Sequence, residues 1–422
     1  MRKALLAAGA TVAAAALLAA CSSNTGSGSA DATADPNLSA TISYAFWDSN
    51  QKPAMDALIK DFNKGYPKIK VTEQITPYQN FFTKLQTQGS SKTLPDVFWM
   101  NGPNFQLYAS NGLLEPLSSG VEPANYPASL NELYSYDGKQ YGAPKDFDTI
   151  GVYYNKALFD KAGVAYPTAD WTWDEFHQKA KAISDKLKDD GVFGVASGLA
   201  GGQEVYYNTI LQSGGSIISK DGKKSGYNDP KSIAGLQFVR DLIADGSSPT
   251  PSQLSDTPQD QWFINSKSAM FWSGTWVNAE LLASPVKDQI ALAPLPKGER
   301  AATVIHGLAN VVAKDSKNKA AAIAFQNYLA GKEAAQIQAE MGAANPAFND
   351  TQQAFVKSAP WDLNIFLTEA NDSSFPYPIS KNTAAWNKFE SDLLPDAFDG
   401  KRPVAEVAKE LADKMNAALA KE

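Results

Sequence analysis

Cysteine and histidine are almost missing from this 422-residue chain, which holds one Cys and two His. A lone thiol cannot close an internal disulfide. His177 and His306, with no thiol partner, fit neither the common zinc spacings nor HExxH, so no metal site is expected. Basic clusters are equally scarce: 38 Lys and Arg face 45 Asp and Glu, a formal charge of −7, and no basic run in the body exceeds Lys223-Lys224 or Lys401-Arg402. A nucleic-acid backbone is normally met by a basic stripe, so that class of partner is excluded. The body has no GxxxxGK[ST] or GxGxxG to cradle a nucleotide phosphate and no GxSxG elbow, and no cofactor is expected. The SxxK strings at Ser49 to Lys52 and Ser316 to Lys319 lack the SDN and KTG of a β-lactamase and read as helix starts.

The chain opens with Met1-Arg2-Lys3, followed by an Ala/Leu-rich run of 17 residues, Ala4 to Ala20, and then the only cysteine, Cys21. This has the form of a secretory signal over residues 1–20 rather than of a membrane helix, being short and built mostly of weakly apolar Ala. Leu18-Ala19-Ala20-Cys21 resembles a bacterial lipobox, which implies a lipid on Cys21. Residues 21–37 then form a tether, since Ser22 to Pro36 holds no apolar residue beyond Ala and cannot build a core. Removing the signal and tether leaves roughly 390 residues, enough for about two domains of 150 to 200. A 44% hydrophobic, 20% charged and 11% aromatic composition is globular.

From Leu38 onward, short β-branched or aromatic runs alternate with helical patterns, which predicts an α/β protein with largely parallel sheets. Thr41 to Phe46 is a first strand, followed by a helix whose apolar positions Met55, Leu58, Ile59 and Phe62 keep helical spacing. Ile69 to Ile75 and Leu94 to Met100 are further strands, with a helix from Tyr78 to Gln88 between them. Thr172 and Glu175 form a capping box for a helix reaching about Asp190. Asp229-Pro230 opens another helix, with Ile233, Leu236, Val239, Leu242 and Ile243 on its buried face. Pro403 opens the last, with Val404, Val407, Leu411 and Met415 as its stripe.

Five predicted strand ends pair an aromatic with polar groups: Phe46-Trp47-Asp48-Ser49-Asn50, Trp99-Met100-Asn101, Lys145-Asp146-Phe147-Asp148, Phe271-Trp272-Ser273-Gly274-Thr275-Trp276 and Ile305-His306-Gly307. Ligands of open α/β sheets collect outside the carboxyl ends of strands, so these positions should converge. A sugar needs this mixture. Its C–H face packs on an aromatic ring, and its vicinal hydroxyls pair with carboxylates and amides offering two polar atoms. A tryptophan in any one strand could equally be core.

The string YGAPKDFDTIGVYYNKALFDKAGVAYPTADWTWDEF, Tyr141 to Phe176, resembles the central segment of family 1 extracellular solute-binding proteins, the carbohydrate receptors of ABC importers related to maltose-binding protein. LPDVFWMNG before it, and KSAMFWSGTW and ALAPLPKG after it, extend the resemblance over Leu38 to Glu422. The resemblance implies a two-lobed, type II periplasmic-binding-protein-like fold whose hinge the chain crosses several times. Crossings at Asp146 to Thr149, near His306 and around Asn345 to Phe348 would divide it into one lobe of residues 38–147 and 306–346, and another of 148–304 and 347–422. It also implies sugar contacts from Trp47, Asp48 and Asn50 after the first strand, from Asn101, and from Asp148 with Lys145 and Asp146 at the first crossing. Glu204 at a helix start, Trp272 and the stacking Trp276 would follow, with Tyr377 or Trp386 as another wall. Many members carry Gly-Gly where this chain has His306-Gly307, and Gly342 to Pro346 lacks the usual following Arg, so the contacts there depart from the pattern.

The function so implied is non-catalytic: a monomeric lipoprotein on the extracellular face of a Gram-positive cell membrane. It would capture an oligosaccharide and deliver it to the transmembrane subunits of an ABC permease. A glycoside hydrolase using Asp146 and Asp148, or Asp48 with Glu204, is the competing class. The same fold taking a peptide or polyamine is the third.

Overall fold

A computed structural model describes residues 35–117, 121–196, 198–199 and 201–422. The export segment, Cys21 and most of the tether lie outside the described residues. Among the described residues no helix is long and apolar enough to cross a membrane.

Eleven strands are described: β1 (Ala40–Phe46), β2 (Ile69–Ile75), β3 (Val97–Asn101), β4 (Ser135–Tyr136), β5 (Lys139–Gln140), β6 (Gly142–Asp148), β7 (Gly151–Asn155), β8 (Met270–Ser273), β9 (Ile290–Ala293), β10 (Thr303–Val312) and β11 (Ser374–Pro376). One sheet runs β11-β10-β3-β1-β2, with β6 on the other side of β10; a second runs β8-β7-β9. The short β4–β5 hairpin turns on Asp137 and Gly138, both at positive φ, as a two-residue turn matched to strand twist requires.

Helices cover both faces of the first sheet. On one face Tyr44 and Phe46 pack with Met55, Leu58 and Phe62 of the Lys52–Gly65 helix and with Phe325 of the Lys319–Leu329 helix. On the other, Phe98 and Met100 meet Phe81, Leu85, Phe105 and Tyr108. Burial on both faces explains why β3 reads as an unbroken apolar run rather than an alternation. The second sheet anchors the largest core, which takes in the stripes of the Trp173–Leu187, Pro230–Ala244 and Val404–Leu419 helices. The Thr172 capping box forms as the sequence suggests, and the helix it starts ends at Leu187, followed by a 3-10 turn to Asp190 and a left-handed Gly191.

The expectation of largely parallel sheets is corrected. β1 runs parallel to β2 and β3, but β10 is antiparallel to β3 and β6, and β7 is antiparallel to both β8 and β9. The reason is the route of the chain between the sheets. β1, β3 and β6 run toward the passage while β10 enters from it and runs away; β7 likewise leaves it while β8 and β9 return. The segments expected to cross lie side by side there. Leu308 sits opposite Asp146, Asp146 bridges to Pro346, and the Ala347 N–H donates to the Lys145 carbonyl at 3.1 Å.

Candidate functional site

The carboxyl ends of β1, β3 and β6 converge beside the start of β10. After β1, Asp48 accepts from the Asn50 backbone N–H at 2.9 Å and from Gln51 Nε2 at 3.0 Å, which fixes the Ser49–Gln51 turn. Asn50 thus serves through its backbone, and its side chain is exposed. Burial holds the Asp48 carboxyl above its ordinary value. Gln51, which sequence reading missed, carries the network inward: its Oε1 accepts from Lys145 Nζ at 2.9 Å. Lys145 also pairs with Asp146 at 2.6 Å, and its ammonium lies 4.4 Å from the Trp99 ring centroid. The other Asp146 oxygen accepts from the Leu308 N–H at 3.0 Å. Trp47 lies partly buried among Tyr78, Phe81, Phe82 and Trp99, with ring centroids between 5.1 and 5.8 Å away, and Tyr78 keeps 54% of its surface exposed. After β3, Asn101 caps the Gly102–Ser110 helix by accepting from the Asn104 N–H at 3.3 Å, and its amide nitrogen faces the Tyr78 hydroxyl at 3.3 Å.

The facing wall is built on the second sheet. Asp148, buried at the end of β6, accepts from the Thr275 N–H at 2.8 Å and from the Thr275 hydroxyl. It thereby pins the Thr275–Val277 turn that presents Trp276. Burial, aided by the negative charge of Asp146, pushes the Asp148 carboxyl up to about 8. Trp276 is partly buried and its indole folds back over Gly274, where a Cβ would stand 2.1 Å from the ring. Glu204 lies two residues before the Tyr206–Gln212 helix it was expected to begin, and accepts from Ser273 Oγ at 2.9 Å and Gln259 Nε2 at 2.8 Å. Burial first, and Asp260 second among the groups that raise it, push it up to about 7. Glu280 also rises to about 7, through burial, Asp260 and the negative charge of Asp48. The Ser49–Gln51 turn packs against the Asn278–Ala283 helix, which brings the two walls together. Glu280 and Asp260 are unmarked in the sequence, because nothing local distinguishes them from solvated helix residues.

His306 sits between the walls. Its Nε2 accepts from the Gly102 N–H at 3.2 Å, which requires an unprotonated nitrogen, and its ring lies 4.9 Å from that of Tyr377. Tyr377 is partly buried and its N–H donates to the Ile305 carbonyl at 3.0 Å. Burial pushes His306 down to about 4. The unfolded chain, with an ordinary value near 6.5, therefore takes up this proton first, so the contribution to stability is full above pH ~6.5 and is lost as pH falls toward 4, to an extent on the order of 3 kcal/mol. Melting of wild type against His306→Gln should diverge over that window, the wild type losing more on acidification; parallel curves would exclude it.

Three of the expected site residues have structural roles. Trp272 is 2% exposed and packs edge-on against Phe176 with centroids 5.5 Å apart, so it belongs to the core. Trp386 is fully buried and spends its indole N–H on Ser380 Oγ at 3.0 Å, so it too belongs to the core. Gly307 has a structural role. A Cβ there would lie 2.3 Å from the Asp146 carbonyl oxygen, so its role is to let β10 approach β6. Of the competing hydrolase pair at the crossing, Asp146 engages Lys145 and the Leu308 N–H through its two oxygens, and Asp148 takes both Thr275 bonds on one oxygen. Among the described residues no group of three His, Cys, Asp or Glu side chains is placed to hold a metal.

Two walls joined by adjacent crossing strands and edged with aromatics and carboxylates agree with the comparisons. The profile of the family described as bacterial extracellular solute-binding protein matches residues 48–336. The chain belongs to this family. This solute-binding protein is 28% identical over 274 residues to the diacetylchitobiose binding protein DasA of Streptomyces coelicolor, a match covering 63% of this chain and 62% of that one. It is 25% identical over 410 residues to a maltooligosaccharide ABC transporter solute-binding lipoprotein of Streptococcus pneumoniae, covering 93% of this chain and 92% of the relative. An ABC substrate-binding protein of Listeria monocytogenes, solved in complex with cycloalternan, superposes with a TM-score of 0.85 at 28% identity over 91% of this chain and 100% of its own. The fold of this solute-binding protein is accordingly the type II, maltose-binding-protein-like one.

Proposed function

We propose that this protein captures an oligosaccharide between two closing lobes and delivers it to the transmembrane subunits of an ABC permease, without catalysis. The lobes are those bounded by the strand crossings, residues 38–147 with 306–346 and 148–304 with 347–422. The observations behind the reading are the partly buried Trp47 with the exposed Tyr78 at the end of the first sheet, the partly buried Trp276 at the end of the second, and the packing of the Ser49–Gln51 turn against the Asn278–Ala283 helix between them. Rings and planar carboxylates in that arrangement suit the C–H faces and vicinal hydroxyls of a sugar. The names of the relatives point the same way.

Titration calorimetry against diacetylchitobiose and maltooligosaccharide, galactooligosaccharide and arabinooligosaccharide series tests this. A binder should raise the melting temperature, because ligand at a hundredfold excess over Kd adds about 2.7 kcal/mol to the native state. Small-angle scattering should show compaction. Absence of binding across the series would overturn the receptor reading, tight binding without compaction would overturn lobe closure, and sugar cleavage at catalytic rates would replace the receptor by a hydrolase.

The protein acts as a monomer held at the outer face of a Gram-positive cell membrane by lipid on Cys21, with residues 21–37 as tether. The support is the Leu18-Ala19-Ala20-Cys21 string and the lipoprotein among the relatives. Cys21→Ser should move the protein from the membrane fraction into the medium, and an unchanged location would refute the anchor.

A further inference from the structure

Glu390 is a buried carboxylate that the binding reading leaves unused. It lies on the Thr383–Phe398 helix and is 2% exposed. Its partners are neutral. Tyr207 Oη donates to it at 2.8 and 3.0 Å, Tyr206 Oη at 3.3 Å, the Tyr227 hydroxyl also donates, and Asn387 Nδ2 does so at 2.9 Å while reaching Tyr207 Oη at 2.9 Å.

Burying a carboxylate carries a desolvation cost that only its hydrogen bonds offset. What it supplies is acceptor capacity. Ionised, it offers about four lone-pair sites, and no neutral side chain accepts from three phenols and an amide together. Tyr207 is held from the opposite side as well, for the backbone at Gly202 lies so close that a Cβ would fall 2.2 Å from its ring. The ring of Tyr207 meets that of Tyr377 edge-on at 5.4 Å, Tyr377 meets His306 at 4.9 Å, and His306 accepts from Gly102 at the start of the helix on the opposite wall. A continuous set of contacts thus runs from Glu390 to the place where the walls join.

We infer that Glu390 is a positioning residue for ligand binding: by accepting from Tyr206, Tyr207 and Tyr227 it fixes Tyr207, and Tyr207 holds Tyr377 against His306 in the cleft. The inference rests on the reading of the cleft as an oligosaccharide site. Burial pushes Glu390 up to about 7, so its charge changes near neutral pH. The titratable groups facing it are Tyr206, Tyr207, Tyr227 and Tyr377, phenols whose ionisation burial drives well above their ordinary range, and His306 beyond Tyr377 titrates far lower.

The test uses Glu390→Gln, which keeps size but halves the acceptor oxygens, and Tyr207→Phe, which removes the hydroxyl with its bonds to Glu390, Asn387 and Tyr377 while leaving the ring. Both are measured by calorimetry with the tightest binder of the series above, and by fluorine NMR of 3-fluorotyrosine-labelled protein with the Tyr377 resonance assigned through Tyr377→Phe. Each variant is expected to lose about tenfold in affinity. The wild-type Tyr377 resonance should shift with pH around neutrality, and that shift should vanish in Glu390→Gln. Wild-type affinity together with an unmoved Tyr377 resonance in both variants would overturn the inference. Should no sugar bind the wild type, the receptor reading falls while the Tyr377 resonance still decides whether Glu390 positions it. Should Glu390→Gln fail to fold, Tyr207→Phe decides alone.

Discussion

Replacing Trp276 by Ala is expected to weaken oligosaccharide binding by about 2 kcal/mol or more, roughly thirtyfold, as for the loss of a binding hot spot. The indole is partly buried against the two cores of the second sheet. Some folding stability goes with it, but less than the roughly 3 to 5 kcal/mol of a fully buried tryptophan. Gly274→Ala separates the ring's position from its presence. A Cβ at 274 would occupy space 2.1 Å from the ring, and since the obstructing atoms belong to a side chain, the indole can swing away without moving the backbone. Trp276 then remains in the protein but out of place, and affinity should fall almost as far as in Trp276→Ala. Calorimetry and apo melting on both variants decide it. Normal binding by Gly274→Ala, or a strongly destabilised Trp276→Ala whose folded fraction binds normally, would remove the ring from the site.

Gly307→Val is expected to have the larger effect on the fold, about 3 kcal/mol or more of lost stability, at or beyond the upper end for overpacking. The obstruction differs from that at Gly274: the nearest atom to a Cβ is the Asp146 backbone oxygen at 2.3 Å, followed by Leu130 Cδ2 at 2.9 Å. Strands β6 and β10 would have to part. Doing so strains the Asp146 hydrogen bond to Leu308 and the neighbouring bridge to Pro346. Denaturant unfolding should show a lower midpoint, and Gly307→Ala should lie between the variant and wild type. Wild-type stability in both would mean that the strands do not approach as described.

Much of the local structure is legible along the chain. Thr172 and Glu175 close their capping box, Asp229 accepts from the Lys231 N–H as an N-cap, and Val404, Val407, Leu411 and Met415 all face the core. Each of these depends on residues close along one helix, where spacing alone settles the geometry. Of the residues expected at the site, Trp47, Asp48, Asn101, Lys145, Asp146, Asp148, Glu204, Trp276, His306 and Tyr377 lie on the strand ends and turns near the crossing, and several spend their polar atoms on the protein itself. Asn101 caps a helix, and Lys145 and Asp146 neutralise each other.

Chain order therefore determined the helix ends, the amphipathic faces and the strand ends at which aromatics meet polar groups, together with the segment that marks the family. Tertiary structure decided strand direction, because it depends on which side of the passage a strand enters from. It also decided that Trp272 is core while Trp276, four residues on, is only partly buried, since the two differ in what distant segments lay over them. Glu390 shows the same limit: its phenol partners lie 163 to 184 residues away in sequence. The charge, burial and hydrogen-bonding of a side chain are properties of its neighbours in space, and those neighbours are chosen only when the chain has folded.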